Sequence, residues 1–399
     1  MLEMEGLSGG RKWGGLWKNK AKYFLGLFTL PSIETPSKLA VYFKNLERVI
    51  LVFELRKRIN RIKIKLSYHL RLSKVLGMPK SIVLEPTNHC NLKCPLCPTG
   101  RGDTSVPYGL FKLDKYKEVV DVISRWAQTV RLFAWGEPLL NKSFVEMIRY
   151  ASQKPYKMRT FTNVNLNVIT DEQIKGLLTS NLDILHASID GVTQEVYEKY
   201  RVGGNLEAVF NNLKKLIAAK ELYKSNTKIK WAFIVNKYNE HQVEEAKRMA
   251  RDFGIPINFD SLRIDLKEDC LTPVDELMDT YGEWLPDNPK YNNYNMDTKA
   301  RKVSFKEVRS YPMSDGFCKM PWQETMINWN GDVFPCTCVH NEEKDRMGNI
   351  FEQDFKEIWN GEKYIAARKE LLGQPNDLET ICHTCKKNGY YTVAQNFVE

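Results

Sequence analysis

Apolar residues recur along this chain with two different periods. From residue 81 onward, short runs rich in apolar and β-branched residues alternate with segments in which apolar residues recur every three or four positions. The short runs predict β-strands, and the other segments predict α-helices. The predicted strands are Ser81–Glu85, Thr129–Ala134, Lys157–Thr162, Ile184–Ser188, Lys228–Val235 and Ile257–Leu262. The predicted helices lie at about Leu113–Trp126, Lys142–Gln153, Asp171–Thr179, Gln194–Tyr200, Leu206–Leu222 and Glu240–Phe253.

This order of elements predicts an α/β fold with a parallel sheet and helices outside it. Strands that alternate with helices are joined by crossovers, which make neighbouring strands parallel. The six strand–helix units are too few to close an eight-stranded barrel. In folds of this kind functional residues gather at the carboxyl ends of the strands, so motifs there carry most of the information about function.

The residues before 81 have a different pattern and most of the positive charge. One apolar stripe consists of Leu39, Phe43, Leu46, Ile50 and Phe53, and a second consists of Leu55, Ile59, Ile62, Leu66 and Leu70. Both stripes have helical spacing, with Arg56, Lys57, Arg58, Arg61, Lys63 and Lys65 between them. Residues 1–80 hold 17 Lys and Arg against 5 Asp and Glu, a net of +12, so the rest of the chain is near neutral within a total of +10.

Three interpretations of this basic extension remain open. A basic amphipathic helix can lie on an anionic membrane, with Trp13, Trp17, Phe24 and Phe28 as further anchors. It can instead pack its apolar stripe on the catalytic body and solvate its charged face. The third interpretation is contact with nucleic acid, which we do not expect.

Length and composition set the domain count and the compartment. The chain has 399 residues, 43% hydrophobic and 27% charged, which is ordinary for globular proteins but long for one core. We expect a helical extension over 1–80, a core domain over 81–310 and a smaller domain over 311–399. The acidic start, Met1–Glu5, is unlike a secretory signal, and no run is long enough to span a bilayer. We therefore expect a cytoplasmic protein, with peripheral contact to the inner membrane surface as an alternative.

The nine cysteines are bunched, which favours metal ligands in a reducing compartment over disulfides. Cys90, Cys94 and Cys97 follow the first predicted strand. Three thiolates so close together can hold three corners of an iron–sulfur cube and leave the fourth iron open. A partial zinc site, with His89 as an awkward fourth ligand, is the alternative.

A second set of cysteines lies near the carboxyl terminus. Asn330-Gly331 predicts a two-residue hairpin turn between Glu324–Trp329 and Asp332–Pro335. The hairpin brings Cys318 and Cys336 to one end, where the later pair Cys382 and Cys385 can join them. Four thiolates can hold zinc or a [4Fe–4S] cube, and their spacing does not choose between the two.

The C-x3-C-x2-C run of Cys90, Cys94 and Cys97 resembles the cluster loop of the radical S-adenosylmethionine (radical SAM) superfamily. A six-unit partial TIM-like barrel is the core fold of that family. The resemblance implies that the open iron binds the amino and carboxylate groups of SAM, and that one electron splits SAM into methionine and a 5′-deoxyadenosyl radical. Leu96 would then contact the adenine.

Further motifs at the strand ends resemble SAM-binding elements of the same family. Trp135-Gly136-Glu137-Pro138 is similar to the G-G-E-P element, although Trp135 replaces the first glycine. Thr162-Asn163 and Ser188-Ile189-Asp190 match elements at the next two strand ends. The resemblance implies SAM contacts for these motifs, and we expect contacts from Arg201, as a bidentate partner of the SAM carboxylate, and from Asn236 and Asn239. Each of these residues can equally be a turn or helix-cap residue.

The carboxyl-terminal part resembles the SPASM or shortened twitch extension of radical SAM enzymes. The resemblance rests on the Cys318-Lys319-Met320-Pro321-Trp322 run, the hairpin, Gly348-Asn349-Ile350 and Glu357-Ile358-Trp359. It implies one auxiliary [4Fe–4S] cluster on Cys318, Cys336, Cys382 and Cys385. Cys270 and Cys338 fit neither set, and either is a candidate hydrogen-atom donor to substrate.

These observations predict a radical SAM enzyme, but they leave its reaction open. Hydrogen abstraction can lead to oxidation if the auxiliary cluster accepts an electron, or to epimerisation if a thiol returns a hydrogen atom. The extension shows little strand signal, unlike the leader-binding modules of peptide-modifying relatives, so we expect a carbohydrate-like or lipid-linked small substrate and keep a peptide maturase as the alternative. The expected electron donor is a reduced flavodoxin or ferredoxin. The rivals from other classes are a non-catalytic iron–sulfur carrier and a zinc-bearing nucleic-acid binder.

Overall fold

The computed structural model describes residues 54–102, 107–154, 158–264, 272, 274–292, 294–297, 302–305, 318–337 and 345–387. The predicted stripe over 39–53, the aromatic residues before it, and Cys270 and Cys338 lie outside these residues. Among the described helices, none is both long enough and apolar enough to cross a membrane.

The strands of the core match the predicted order. They are β1 (Ser81–Leu84), β2 (Thr129–Arg131), β3 (Arg159–Val164), β4 (Ile184–Ser188), β5 (Lys228–Val235) and β6 (Ile257–Ser261). A separate antiparallel pair is formed by β7 (Tyr294–Asp297) and β8 (Lys302–Phe305), and the carboxyl-terminal strands are β9 (Glu324–Ile327), β10 (Asp332–Phe334) and β11 (Gly348–Asn349).

The described helices include all six that were predicted for the core, three with the predicted bounds and three shorter. They are α1 (residues 54–69), α2 (Leu113–Ile123), α3 (Phe144–Ser152), α4 (Asp171–Thr179), α5 (Gln194–Tyr200), α6 (Leu206–Leu222), α7 (Val243–Asp252), α8 (Val274–Tyr281), α9 (Met320–Gln323), α10 (Phe355–Trp359), α11 (Glu362–Leu372) and α12 (Ile381–Lys387). The predicted helix Glu240–Phe253 begins with a 3₁₀ turn, Glu240–Gln242, before α7. Capping explains the agreement at α4, where the Thr170 hydroxyl and the Gln173 side chain form a capping box.

The six core strands form one parallel sheet in sequential order from β1 to β6. In the part of the chain that the structure describes, β6 pairs only with β5, so the sheet is an open partial barrel. The register divides its side chains into two faces. The outer face carries Ile82, Val130, Leu185, Trp231 and Phe233, which join the helices in the main apolar core. The opposite, inner face is the concave side of the open barrel.

The carboxyl-terminal hairpin extends the same sheet instead of forming a detached layer. Strand β9 pairs in parallel with β1, with Ser81 opposite Glu324 and Leu84 opposite Ile327. Strand β10 returns antiparallel beside β9 after the predicted turn, where Gly331 has φ 88°. The edge of the barrel at β1 is therefore covered by the carboxyl-terminal part of the chain.

The segment between α1 and β1 is held by the same carboxyl-terminal part. The indole N–H groups of Trp322 and Trp359 donate to the carbonyls of Leu72 and Gly77, both at 2.9 Å. The Asn360 side chain both accepts from the amide of Val75 and donates to its carbonyl. These side chains replace the hydrogen bonds that an irregular segment would otherwise make to water. Residues 72–78 are thus held against the carboxyl-terminal part of the chain.

Candidate active site

The loop after β1 carries the three clustered cysteines and is held by its own polar side chains. The Thr87 hydroxyl donates to the Gly109 carbonyl at 2.8 Å. The Asn88 amide donates to the Pro107 carbonyl and accepts from the Gly109 amide. Both side chains are buried, so these bonds satisfy groups that would otherwise be costly to bury. The loop therefore starts from a well-defined position at the carboxyl end of β1.

Cys90, Cys94 and Cys97 are free thiols in this loop; Cys94 is buried and the other two are partly buried. Burial raises the pKa of Cys90 to about 11 and that of Cys94 to about 12. A thiolate is therefore unfavourable at these positions unless a metal centre supplies compensating positive charge. Three soft sulfur ligands within one short loop fit an iron–sulfur cluster.

Two glycines allow the backbone to approach this loop closely. A Cβ at Gly136 would overlap the carbonyl oxygen of Thr87 and lie 2.7 Å from that of His89. A Cβ at Gly100 would overlap the backbone of Cys94. Neither neighbour can move without moving the cysteine loop, so both positions require glycine.

Trp135, which departs from the family's G-G-E-P pattern, points away from this close approach. Its backbone amide donates to the Glu85 carboxylate at 2.8 Å. Its side chain packs on the inner face against a small apolar cluster of Val83, Met326 and Phe334. The tryptophan is accommodated because Gly136, and not residue 135, meets the cysteine loop.

Glu137 is a buried carboxylate beside the cysteine loop. It accepts hydrogen bonds from the amides of Leu139 and Asn165, at 3.1 and 2.8 Å. Burial raises the pKa of Glu137 to about 7, against the lowering effect of these amides. A cationic group bound nearby would stabilise the ionised form. Pro138 begins the 3₁₀ turn that follows.

Asn165 is a residue of this site that the sequence reasoning missed. Its backbone amide binds Glu137, and its side-chain amide donates to the Asn91 side chain in the cysteine loop at 2.9 Å. It therefore connects the carboxyl end of β3 to the loop after β1. Its place directly after β3 is its only mark in the sequence, and that place alone does not distinguish it from other turn residues.

Asp190 and Arg201 form a buried ion pair behind the cysteines. The Arg201 Nε donates to Asp190 Oδ2 at 2.6 Å, and the Ile234 amide donates to Asp190 Oδ1 at 2.6 Å. The Arg201 Nη1 lies 4.0 Å from Cys94 Sγ. Burial raises the pKa of Asp190, and the neighbouring guanidinium opposes that effect. The pair orients Arg201 toward the cysteine loop and leaves its outer N–H groups for an anionic ligand.

The two asparagines after β5 have different roles in the structure. The Asn239 amide donates to the carbonyls of Asp190 and Ile234 and accepts from the amide of Asn236. It therefore shapes the turn and has little capacity left for a ligand. Asn236 is buried, and its Nδ2 has no hydrogen-bond partner among the described residues. A buried donor without a partner fits an acceptor on a bound ligand.

The remaining predicted contacts divide between the core and the inner face. The Thr162 hydroxyl is buried and donates to the Leu132 carbonyl at 3.0 Å. Leu96 lies in the main apolar core. The side-chain oxygen Oδ1 of Asn163 accepts a hydrogen bond from the Ser188 hydroxyl. Since Asn163 and His186 are opposite each other in the register, Asn163 and Ser188 share the inner face and remain candidates for ligand contact.

The four carboxyl-terminal cysteines pack in or against the main apolar core. Cys382 and Cys385 lie on α12, and Cys382 is buried. Burial raises the pKa of Cys382, and the neighbouring thiols of Cys385 and Cys318 raise it further. Burial raises the pKa of Tyr364, and the thiols of Cys336 and Cys382 raise it further. Within the described residues, no three Cys, His, Asp or Glu side chains are close enough to hold a single metal ion.

Two family models match this chain. Residues 84–250 match the model of the radical SAM superfamily, and residues 318–386 match SPASM, an iron–sulfur cluster-binding domain. The first match contains the cysteine loop and the motifs at the ends of β2, β3, β4 and β5. The second contains all four carboxyl-terminal cysteines of the candidate auxiliary site.

Individual relatives are distant but cover most of the chain. An AdoMet-dependent heme synthase of Methanosarcina barkeri is 24% identical over 337 residues, covering 78% of this chain and 92% of that protein. A tungsten-containing aldehyde ferredoxin oxidoreductase cofactor-modifying protein of Pyrococcus furiosus is 23% identical, covering 71% and 82%. The solved structure of SuiB from Streptococcus suis has a TM-score of 0.53 and 15% identity, covering 88% of this chain and 78% of that chain. The last likeness concerns the fold alone.

Proposed function

Because this chain belongs to the radical SAM superfamily and carries a SPASM iron–sulfur domain, we propose that it abstracts a hydrogen atom from a polar, carbohydrate-like small molecule and oxidises it. The cofactors of this chain are a SAM-binding [4Fe–4S] cluster, an auxiliary iron–sulfur cluster and SAM. We assign the first cluster to Cys90, Cys94 and Cys97, and the auxiliary cluster to Cys318, Cys336, Cys382 and Cys385.

The cofactors supply the difficult chemistry, namely reductive cleavage of SAM to a 5′-deoxyadenosyl radical and acceptance of an electron from the substrate. In our proposal Glu137 holds the cationic amino group of SAM, and Arg201 holds its carboxylate. Asn236 donates to the nucleoside through its unpaired amide. The protein thereby fixes SAM at the carboxyl ends of the strands and excludes water from it.

The inner face of the sheet supports a polar substrate. The register places Arg131, Asn163, His186, Lys230 and Asp260 on this face. Burial raises the pKa of Asp260 to about 6 and lowers that of His186 to about 4. Polar and charged side chains thus line this face, and such a lining favours a ligand with several hydroxyl or charged groups over an apolar one.

The observation that carries the oxidation proposal is the position of the two thiol sets. The first follows the carboxyl end of β1. Strand β10, which pairs Phe334 with Met326, ends two residues before Cys336, so the auxiliary set begins beside β9, the neighbour of β1 in the sheet. In our proposal a substrate on the polar inner face has the hydrogen acceptor on one side and an electron acceptor on the other. One substrate hydrogen leaves to the radical, a second as a proton, and the remaining electron goes to the auxiliary cluster. We propose a reduced flavodoxin or ferredoxin as the donor of the initiating electron.

The test uses the anaerobically reconstituted full chain with SAM, dithionite and a panel of perdeuterated monosaccharides, cyclitols and nucleotide sugars. We expect deuterium transfer into 5′-deoxyadenosine with one member of the panel. In a separate reaction, the same compound without deuterium should give a product that is two mass units lighter than itself. A Cys318→Ala/Cys336→Ala variant should still cleave SAM but should lose the oxidised product. A product of unchanged mass and inverted configuration would replace oxidation by epimerisation. Deuterium transfer only from peptides would favour a maturase and contradict the proposed substrate class.

Gly136→Ala is expected to weaken SAM binding by about 5- to 150-fold, since overpacking against backbone carbonyls displaces the loop and costs about 1–3 kcal/mol. The added methyl group would overlap the carbonyl of Thr87 in the loop that carries the cluster. The measurement is the SAM dissociation constant of the reconstituted protein by equilibrium dialysis. Gly282→Ala is the matched control, because the nearest atom to its Cβ is the flexible end of Met278 at 3.3 Å. Equal affinities in the two variants would show that residue 136 does not need this close approach.

A further inference from the structure

Helix α1 contacts the rest of the protein through one face. Its buried residues are Lys57, Asn60, Ile64, Ser67 and Tyr68. The Asn60 side chain donates to the carbonyl of Met78 and accepts from its amide, both at 2.8 Å. The Tyr68 ring packs edge-on against Trp322 at 6.0 Å between centroids. The helix is therefore held at a defined angle by polar contacts and one aromatic pair.

The opposite face of α1 exposes its apolar stripe. The stripe consists of Leu55, Ile59, Ile62, Leu66 and, just past the helix, Leu70, with side chains that are 42–62% exposed. These positions are four and three residues apart and so lie along one side of the helix. The interpretation in which this stripe packs on the catalytic body is therefore wrong, because the body contacts the other side of α1. An aligned row of exposed Leu and Ile side chains indicates an interaction surface.

Basic side chains border the exposed stripe on both sides. At about 100° per residue, Arg58, Arg61 and Lys65 lie along one flank, and Arg56 and Lys63 lie along the other. All five are exposed, and Glu54, at the first described position, is the only acidic residue of α1. The stripe and its flanks together form a surface with an apolar centre and a cationic border.

We propose that this surface binds an anionic phospholipid bilayer. Leu and Ile side chains fit the acyl boundary, while Lys and Arg on both flanks reach the headgroup phosphates. The charge border identifies the partner as anionic, and the aliphatic centre distinguishes a bilayer from nucleic acid. A nucleic acid would pair with the cations, but it would leave the five aliphatic side chains in water.

The position of α1 determines how the enzyme would face the bilayer. The Gln128 side chain donates to the Lys57 carbonyl, and the Gln128 amide donates to the Lys80 carbonyl. Both contacts lie at the amino ends of β1 and β2, whereas the cysteine loop follows the carboxyl end of β1. Bilayer contact through α1 therefore turns the candidate active site away from the membrane. The surface anchors the enzyme, and the substrate enters from the aqueous side.

The test is cosedimentation of the full reconstituted chain with vesicles of phosphatidylcholine alone or with 30% phosphatidylglycerol. We expect binding to the anionic vesicles that weakens as salt is raised, since surface charges are screened. Ile59→Ser/Leu66→Ser should reduce partitioning by at least about tenfold, because it removes apolar side chains that would insert. Leu222→Ser/Tyr223→Ser is the matched control, since both residues are exposed elsewhere on the molecule, and should bind as the wild type does.

Iron content and SAM cleavage report whether each variant is folded, and they do not depend on the bilayer. Equal binding of the Ile59→Ser/Leu66→Ser variant and the wild type would overturn the proposal. Failure of the wild type to bind anionic vesicles would also overturn it. If light scattering shows a dimer that Ile59→Ser/Leu66→Ser converts to a monomer, the stripe is an interface between two copies, and the membrane assignment is wrong.

Discussion

Replacing Cys90, Cys94 and Cys97 together by alanine is expected to abolish formation of 5′-deoxyadenosine while leaving about half of the iron. The wild-type protein should hold about eight irons and the variant about four, because each cube contains four. SAM cleavage should be lost because the three thiols share one loop, which lies close to the backbone of Gly100 and Gly136. Iron, sulfide and dithionite-dependent 5′-deoxyadenosine are measured after anaerobic reconstitution.

The matched control replaces the other set, Cys318, Cys336, Cys382 and Cys385, by alanine. It should also retain about four irons, but it should still cleave SAM. Zinc in place of iron in the wild-type protein would contradict the assignment of both sets. Iron without SAM cleavage after full reduction would instead favour an electron carrier.

Replacing Asp190 by asparagine is expected to destabilise the protein by about 3–5 kcal/mol, the usual cost of leaving a buried charge without its partner. Asp190 is fully buried and binds both Arg201 and the Ile234 amide. A loss of this size should lower the midpoint of anaerobic thermal unfolding by about 5 °C. SAM affinity should fall as well, since Arg201 would no longer be held toward the cysteine loop.

Two further variants separate stability from ligand binding. Asp171→Asn removes an ion pair with Lys215 whose side chains are 80% and 56% exposed, so it should cost no more than about 1 kcal/mol. Asp190→Asn/Arg201→Met removes the unpaired charge and should recover much of the stability, but SAM binding should remain weak. If the double variant binds SAM like the wild type, Arg201 has no role in holding SAM.

Local sequence patterns predicted the barrel elements well. The bounds of β4, β5, α4, α5 and α6 agree with the prediction residue for residue. These segments combine a clear period with a cap or turn residue, such as Thr170 before α4 and Asn205 before α6. The prediction was less accurate at β2, which ends at Arg131, because the chain leaves the ladder there to build the Trp135-Gly136 turn.

Candidate site residues were identified from spacing and resemblance, but their contacts were not. Spacing cannot tell which atoms of Asn236 and Asn239 are already used, since that depends on how the turn after β5 folds. The structure uses the Asn239 amide within the protein and leaves the Asn236 donor unpaired. Asn165 was missed because a lone asparagine after a strand has no distinguishing pattern.

The sequence alone determined the family, the order of strands and helices, and the two sets of cysteines, because each depends on short-range spacing. Tertiary structure decided three other features. Strand β9 pairs with β1 across more than 200 residues, so the carboxyl-terminal part of the chain closes one edge of the barrel. Asp190 binds Arg201, and α1 packs through its polar side so that its apolar stripe faces outward. Hydrophobic periodicity shows that a helix has two different faces, but which face meets the protein depends on the shape and hydrogen bonds of its partner.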